Sequence, residues 1–346
     1  MSIYQESGYL DIRKILSYGM TFNLVVGARG IGKTYTTLET CVEDQIGFIL
    51  MRRLQSVTDE INDPRFSPFI QLNRNLGWNI QPFPSTKGSA YFARAETDDK
   101  GKMTPAGPAL GITTSLSTVA HMRGLGIEEW QLLIYDEFIP EPHERPLRKE
   151  GEAFDNAYET LNRNRELEGR PAMRVLGLAN SNDIGNPLFV HYGLVEAAIR
   201  LQNSKNDFLL IPERGVGLFM PKNSPISKRK ADTALYRMSK GKAFRDMALR
   251  NAFLIEGADS IQSVDLKGYK PIVTAGVITI YEARDSSGYY VSFHRSGNPP
   301  EYKAERIDLL RFKNQYISLW KAHLLKEIRF ETYSAMKIFE EYFKVM

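Results

Sequence analysis

The stretch Gly27-Ala28-Arg29-Gly30-Ile31-Gly32-Lys33-Thr34 decides the fold of the N-terminal part of this chain. It has the spacing G-x-x-x-x-G-K-[ST], follows the apolar run 22–26, and opens a helical pattern from Thr34 to about Gln45. The glycines let backbone N–H groups wrap around a phosphate, and the N-terminus of the helix adds a partial positive charge. This order of strand, loop and helix predicts a phosphate-binding loop in an α/β domain.

Two side chains of this loop have predicted roles in binding ATP and Mg²⁺. Lys33 is expected to reach the β- and γ-phosphates, and the hydroxyl of Thr34 is expected to bind Mg²⁺. The other predicted cofactor-binding positions are the remaining loop residues, whose backbone surrounds the phosphates: Gly27, Ala28, Arg29, Gly30, Ile31 and Gly32.

A second motif, Leu132-Leu133-Ile134-Tyr135-Asp136-Glu137, predicts a buried parallel strand that ends in two carboxylates. Asp136 is expected to hold Mg²⁺ through water. Glu137 fits the general base that orients water for attack on the γ-phosphate. Together with the phosphate loop upstream, the pair predicts ATP hydrolysis.

Polar residues after the next helix and strand complete the candidate site. A helix from about Glu150 to Asn162 leads to Arg163 and Arg165, which either complement the helix dipole or enter a neighbouring nucleotide site as an arginine finger. The following strand, 173–180, ends at Asn180, whose amide is placed to contact the attacking water and the γ-phosphate.

Composition bounds the class of protein. Hydrophobic residues make up 42% and charged residues 25% of the 346, as in a soluble globular protein, and no run has the length of a membrane span. No signal-peptide core is present, so a cytosolic protein without a membrane partner is expected. The single cysteine, Cys41, excludes an internal disulfide and indicates a buried thiol.

The charge is uneven along the chain. Residues 1–202 hold 21 Lys+Arg against 25 Asp+Glu, whereas the remainder holds 24 against 16. Either the back half meets a polyanion or it has a solvated basic surface.

We predict three segments: an ATPase domain over 1–202, a linker over 203–227 and a basic C-terminal docking domain over 228–346. Strands within 91–94 and 109–113 are expected to flank a turn at 98–102. A basic helix is expected from Lys228 to Arg250, then a hairpin over 271–294 and helices from Leu309. The C-terminal carboxylates Glu282, Asp285 and Asp308 are scattered and form no convincing nuclease set.

These motifs, with Asn186-Pro187 after Asn180, resemble the genome-packaging ATPase of the small, protein-primed tailed phages, the Salasmaviridae type. The resemblance is specific over roughly the first 190 residues. It implies a P-loop NTPase of the additional-strand, catalytic-glutamate class with a mostly parallel sheet. It also implies a smaller α+β C-terminal domain similar to a ribonuclease-H-type nuclease that has lost its catalytic carboxylates.

The resemblance further implies the partners and two site residues. Such proteins form a homopentameric ring on the portal of an empty procapsid and drive double-stranded DNA inward with ATP, which places this chain in the host cytoplasm, transiently on a procapsid. Their trans-acting arginine corresponds to Arg163 here. A second trans-acting residue, a lysine in the best-known member, falls at Arg123.

Other functions stay open at this point. The chain is also compatible with a nucleotide-dependent assembly switch that turns over little ATP, or with a terminase-type ATPase that cuts DNA. Glu137 favours an ATPase, and whether a packaging RNA takes part is left open.

Overall fold

A ten-stranded sheet carries the phosphate loop in a computed structural model that describes residues 3–85, 88–119, 130–141, 144, 147, 149–239 and 258–344. The chain divides into two compact units. The first comprises Met1–Asp183 and Arg200–Leu254, and the second comprises Ile184–Ile199 and Ile255–Met346.

The strands of the first sheet run in the spatial order β3-β4-β6-β2-β7-β8-β1-β10-β9, with β5 paired to β4. They are β1 Phe22–Val26, β2 Phe48–Arg52, β3 Ile80–Pro84, β4 Ala90–Thr97, β5 Met103–Pro105, β6 Gly111–Ser115, β7 Leu132–Asp136, β8 Arg174–Ala179, β9 Phe208–Ile211 and β10 Val216–Phe219. The six strands from β6 to β10 in this order are parallel to one another, and β3, β4, β5 and β9 add antiparallel edges. The predicted mixed α/β fold with a mostly parallel sheet is confirmed.

The helices of the described residues are α1 Ile12–Ser17, α2 Lys33–Glu43, α3 Gln55–Ile61, α4 Ile70–Leu76, α5 Glu150–Asn162, α6 Pro187–His191, α7 Val195–Asn203, α8 Pro225–Lys230, α9 Ala234–Met238, α10 Arg306–Gln315, α11 Ile317–Leu324 and α12 Tyr333–Lys344. None of these helices is long and apolar enough to cross a bilayer.

The core of the first unit lies between the sheet and its covering helices. Leu38 and Cys41 of α2 and Ile15 of α1 pack in one buried cluster with strand residues such as Val25 and Ile134. All five residues of β7 are buried, as expected for a parallel strand with both faces covered. Burial also raises the pKa of the Cys41 thiol to about 12, so the predicted buried thiol is confirmed.

The second unit has a sheet of its own, in the order β14-β11-β12-β13-β15. Its strands are β11 Tyr269–Ala275, β12 Ile278–Ala283, β13 Tyr289–Ser292, β14 Glu301–Tyr302 and β15 Ile328–Phe330. The first three form an antiparallel meander, while β14 is parallel to β11 and β15 is parallel to β13. Phe312 of α10 and Phe343 of α12 are buried with ring centroids 5.0 Å apart, which places the C-terminal aromatics in a core.

The predicted linker over 203–227 is wrong. This segment contains β9 and β10, and β10 pairs with β1 in parallel, with Phe22 opposite Val216. Pro212 and Gly215 form the turn between two short strands, so the composition of the segment resembles that of a linker although its backbone completes the first sheet. The domain limits drawn at 202 and 228 therefore do not match the two units.

Two local predictions also need correction. The turn at 98–102 joins β4 to β5, while 111–115 forms β6, which pairs with β4 and β2. The long basic helix predicted from Lys228 is instead the end of α8 followed by α9, and residues 240–257 lie outside the described part of the chain.

The basic excess belongs to the first unit. Residues 200–254 hold 12 Lys+Arg against 4 Asp+Glu, whereas the second unit holds 13 against 13. The prediction of a basic C-terminal docking domain is therefore wrong in its charge, because the boundary at 228 assigned α8 and α9 to the wrong unit.

Candidate active site

Three neighbouring parallel strands bring the predicted site residues together. In the order β7-β8-β1, Asp136 lies opposite Leu178 and Val26 lies opposite Ala179. The carboxyl ends of parallel strands meet at one edge of the sheet. The phosphate loop, the Asp136-Glu137 pair and Asn180 therefore lie at the same edge.

The phosphate loop has the backbone that its glycines permit. Gly30 and Gly32 have φ of +76° and +86°, a region that side-chain-bearing residues rarely adopt. The N–H of Gly27 donates to the carbonyl of Ala179 at 3.0 Å, which ties the loop to β8. Gly32 caps α2, so the helix begins at Lys33 with its N-terminus at the loop.

The side chain of Lys33 bonds to the backbone of its own loop and to Asn180. Its Nζ donates to the carbonyl oxygens of Gly27 at 2.9 Å and Ala28 at 3.0 Å, and to Oδ1 of Asn180 at 3.0 Å. Burial lowers the pKa of Lys33 to about 8, against the opposing effect of the nearby Asp136 carboxylate. The ammonium therefore lies in a site where an added anion would favour its charged form.

Thr34 and Asp136 bring two oxygen atoms together at the start of α2 and the end of β7. Oγ1 of Thr34 donates to Oδ2 of Asp136 at 3.0 Å, and Asp136 is 3% exposed. A hydroxyl and a carboxylate are the hard oxygen donors that Mg²⁺ prefers, and Mg²⁺ commonly uses one or two carboxylates together with substrate phosphates. The residues present therefore fit a magnesium–nucleotide complex.

Arg52 connects both carboxylates, although it was not among the predicted site residues. Its Nη2 lies 3.0 Å from Oδ2 of Asp136, and its Nη1 lies 2.6 Å from Oε2 of Glu137. The side chain of Arg52 is 11% exposed, whereas that of Glu137 is 63% exposed. The sequence has an arginine at the end of β2, but only the pairing of β2 with β7, which ends with Met51 opposite Tyr135, brings it near Asp136.

The adjacent Arg53 has a structural role. Its guanidinium contacts Glu150 at 2.7 Å and Glu144 at 2.8 Å, and the hydroxyl of Tyr135 donates to Glu150 at 3.1 Å. Arg53 and Glu150 are almost wholly buried. This network attaches the first turn of α5 to β2 and β7, beside the carboxylate pair.

The backbone of Glu137 is unusual for a residue with a side chain. Its φ is +59°, in the left-handed region. This conformation turns the chain directly after β7, and it places Glu137 towards Arg52 while Asp136 faces Thr34. The two adjacent carboxylates thus share Arg52 as a neighbour, while Asp136 alone also accepts a hydrogen bond from Thr34.

Arg163 directly follows α5 and lies away from the phosphate loop. It is exposed, with φ of +51°, at the C-terminal cap of the helix. The preceding residue, Asn162, accepts a bond from the N–H of Met173 just before β8. The end of α5 therefore lies near the amino ends of the strands, about 16 Å of strand length away from the phosphate loop.

Arg165 does not match its predicted role as an arginine finger. It is 7% exposed, and its Nη2 donates to the carbonyl oxygen of Trp130, two residues before β7. A guanidinium buried against a backbone carbonyl stabilises its own subunit, so Arg165 is withdrawn as a candidate. The prediction for Arg123 falls outside the described residues.

Sequence comparison identifies the family. Residues 90–268, just over half of the chain, match the family described as Podovirus DNA encapsidation protein (Gp16). The chain belongs to this family. It is 25% identical over 262 residues to the DNA packaging protein of Bacillus phage phi29, covering 72% of this chain and 67% of that protein. It is 26% identical over 245 residues to the DNA packaging protein of Bacillus phage B103, covering 69% and 66%.

Structural comparison relates the fold to the same group. A chain of the bacteriophage Phi-29 viral genome packaging motor assembly superposes with a TM-score of 0.65 at 17% identity, covering 99% of both chains. A chain of the Phi-28 gp11 DNA packaging motor gives 0.59 at 17% identity, covering 96% of this chain and 97% of that one. This encapsidation-family chain therefore has the fold of those motor subunits across both of its units.

Proposed function

We propose that this chain is the ATPase of a motor that drives double-stranded DNA through the portal into a phage procapsid. The observation that carries the proposal is the site at the strand ends, where Lys33, Thr34, Asp136 and Asn180 converge by hydrogen bonds of 3.0 Å in a member of the DNA encapsidation family. Packaging proteins of Bacillus phages are its relatives.

Each side chain of the site has a task in ATP hydrolysis. Lys33 and the loop N–H groups bind the phosphates, and Thr34 and Asp136 hold Mg²⁺, which neutralises charge on the phosphates when bound. Asn180, already within 3.0 Å of the Lys33 ammonium, contacts the γ-phosphate. Glu137 accepts the proton of the attacking water.

The ion pair between Arg52 and Glu137 defines a resting arrangement of the base. The Arg52 guanidinium lies 2.6 Å from Oε2 of Glu137, so this oxygen is occupied by an ion pair and not by a water molecule. We infer that Glu137 turns away from Arg52 when it orients water. Its 63% exposed side chain has room for that movement.

The position of Arg163 supports action in a neighbouring subunit. The end of α5 lies at the amino ends of the strands, whereas the phosphate loop lies at their carboxyl ends. A subunit ring, which the family resemblance makes a homopentamer, lets each Arg163 complete the next subunit's site. Arg123 is kept as the second trans-acting candidate.

The finer fold assignments are also proposals. Strand β8 lies between β7, which ends in the Asp-Glu pair, and β1, which precedes the phosphate loop, and this additional strand supports the catalytic-glutamate class. The mixed five-stranded sheet with an antiparallel meander supports a ribonuclease-H-type second unit. The motor works on the procapsid in the host cytoplasm, and a packaging RNA is left open as a further partner.

The test combines ATP turnover with DNA protection. With portal-bearing procapsids and double-stranded DNA, the parent protein should hydrolyse ATP faster and shield DNA from nuclease. Glu137→Gln should bind ATP but lose about a hundredfold or more in turnover, while Lys33→Ala should lose binding. ATP turnover that neither DNA nor procapsids change would refute the motor and favour a nucleotide switch.

A further inference from the structure

A lysine from outside the predicted nucleotide motifs lies against the phosphate loop. Nζ of Lys230, the last residue of α8, donates to the carbonyl oxygen of Arg29 at 3.2 Å. A Cβ atom added at Gly30 would lie 2.1 Å from this Nζ. The ammonium group therefore occupies the space that the missing side chain of Gly30 leaves open.

Helix α8 is held beside the loop by the N-terminal segment. Nη2 of Arg229 donates to the carbonyl of Ser7 at 3.4 Å, and the N–H of Leu10 donates to the carbonyl of Ile31 at 3.0 Å. One short stretch of chain thus contacts both α8 and the phosphate loop. Lys230 is placed by this packing within the first unit, in the same subunit as the loop.

The loop carries more positive charge than its own motif requires. Lys33, Arg29 and Lys230 lie around it, and Arg29 is paired with Glu141. The ammonium groups of Lys33 and Lys230 repel each other unless an anion lies between them. A nucleotide polyphosphate supplies several negative charges.

We propose that Lys230 is a phosphate ligand of the bound nucleotide, supplied in cis by α8. The inference rests on the proposed function, since it requires that the loop binds a nucleotide. Its ammonium already lies against the loop backbone, and exchanging a carbonyl acceptor for a phosphate oxygen gives a stronger, charge-assisted bond. The residue lies about 200 positions after the loop, outside the motifs that identify the site.

A purely structural role makes a different prediction. If Lys230 only satisfies the carbonyl of Arg29, its loss should lower the unfolding temperature and leave nucleotide affinity unchanged. Lys230→Gln separates the two, because the amide keeps a hydrogen-bond donor but removes the charge. Lys228 is a matched control, since it lies exposed on the same helix and its loss changes the net charge equally.

The experiment measures the Kd of a fluorescent ATP analogue in Mg²⁺ at fixed salt for the full-length protein, with thermal unfolding recorded without nucleotide. We expect Lys230→Gln and Lys230→Ala to raise the Kd about tenfold, as for loss of a hydrogen bond to a charged group. Lys230→Arg should stay within about threefold of the parent and Lys228→Ala within about twofold.

Two results overturn the inference in distinguishable ways. If Lys33→Ala abolishes binding but Lys230→Gln matches Lys228→Ala, then the nucleotide site stands and Lys230 is not a ligand. If the parent protein binds no nucleotide, then the proposed function fails and this inference fails with it.

Discussion

Raising the pH from 7 to 9 should weaken ATP binding about tenfold, because Lys33 loses its proton in the free protein over this range. Burial lowers its pKa from 10.5 to about 8. Arg29 and Lys230 add to the lowering, and Asp136 and Glu137 oppose it. Phosphates bound beside the ammonium favour its charged form, so the pKa rises in the complex.

The size of the effect follows from this pKa. If only charged Lys33 binds with full affinity, the Kd scales as one plus ten to the power of pH minus pKa, which is about 1.1 at pH 7 and about 11 at pH 9. The same group affects folding. Its folded pKa lies below its unfolded value, so it costs about 3 kcal/mol of stability below pH 8. That cost is relieved as the pH rises from about 8 to 10.5.

Isothermal titration calorimetry can measure both the Kd for ATP and the number of protons taken up on binding. Titrations with Mg²⁺ and ATP in buffers of different ionisation enthalpy should give an uptake of about 0.1 proton per ATP at pH 7 and about 0.9 at pH 9. Lys33→Arg is the control, because a guanidinium stays charged throughout. Its affinity should not follow this pH dependence. A Kd that stays within twofold from pH 7 to 9 without proton uptake would refute the buried, proton-losing Lys33.

Three further predictions follow from other parts of the molecule. Arg163→Ala and Glu137→Gln proteins should each hydrolyse ATP poorly. A mixture of the two should regain turnover, because some interfaces pair an intact Glu137 with an intact Arg163. No recovery at any ratio, with mixed assembly confirmed, would exclude action in trans. Arg53→Ala should lower the free energy of unfolding by about 3 kcal/mol in denaturant titrations, since it leaves Glu150 buried without its partner. His323 and the two nearby lysines hold the pKa of Glu340 at about 2 although burial opposes this. Glu340→Gln should therefore cost about 2 kcal/mol at pH 7, allowing for solvent screening, and the difference from the parent should disappear as the pH falls from about 4.5 towards 2.

The strongest predictions from sequence concern elements whose signals are local. The phosphate loop with its strand and helix, the Asp136 strand and helix α5 are each specified by adjacent residues: glycine spacing, an unbroken apolar run, or helical periodicity. The structure has β1 at the predicted residues and α5 at Glu150–Asn162. The meeting of the phosphate loop with the Asp136-Glu137 pair also followed, because parallel strands with buried faces align their carboxyl ends.

Other features depend on contacts between distant residues, and sequence reasoning missed or misjudged them. Arg52 becomes a partner of Asp136 and Glu137 only through the pairing of β2 with β7, and Arg165 is buried only because α5 ends beside Trp130. Both are arginines near the ends of elements, and the sequence alone does not show which of them contacts the carboxylate pair.

Residues 203–230 show the same dependence on distant contacts. Their glycines, prolines and basic residues indicated a linker and the start of a separate domain, but β10 pairs with β1 in the first sheet and α8 brings Lys230 to the phosphate loop. By itself, the sequence determined the nucleotide motifs, since each motif consists of consecutive residues. Only the tertiary structure decided which distant charges surround them, because strand pairing and helix packing bring together residues up to about 200 positions apart.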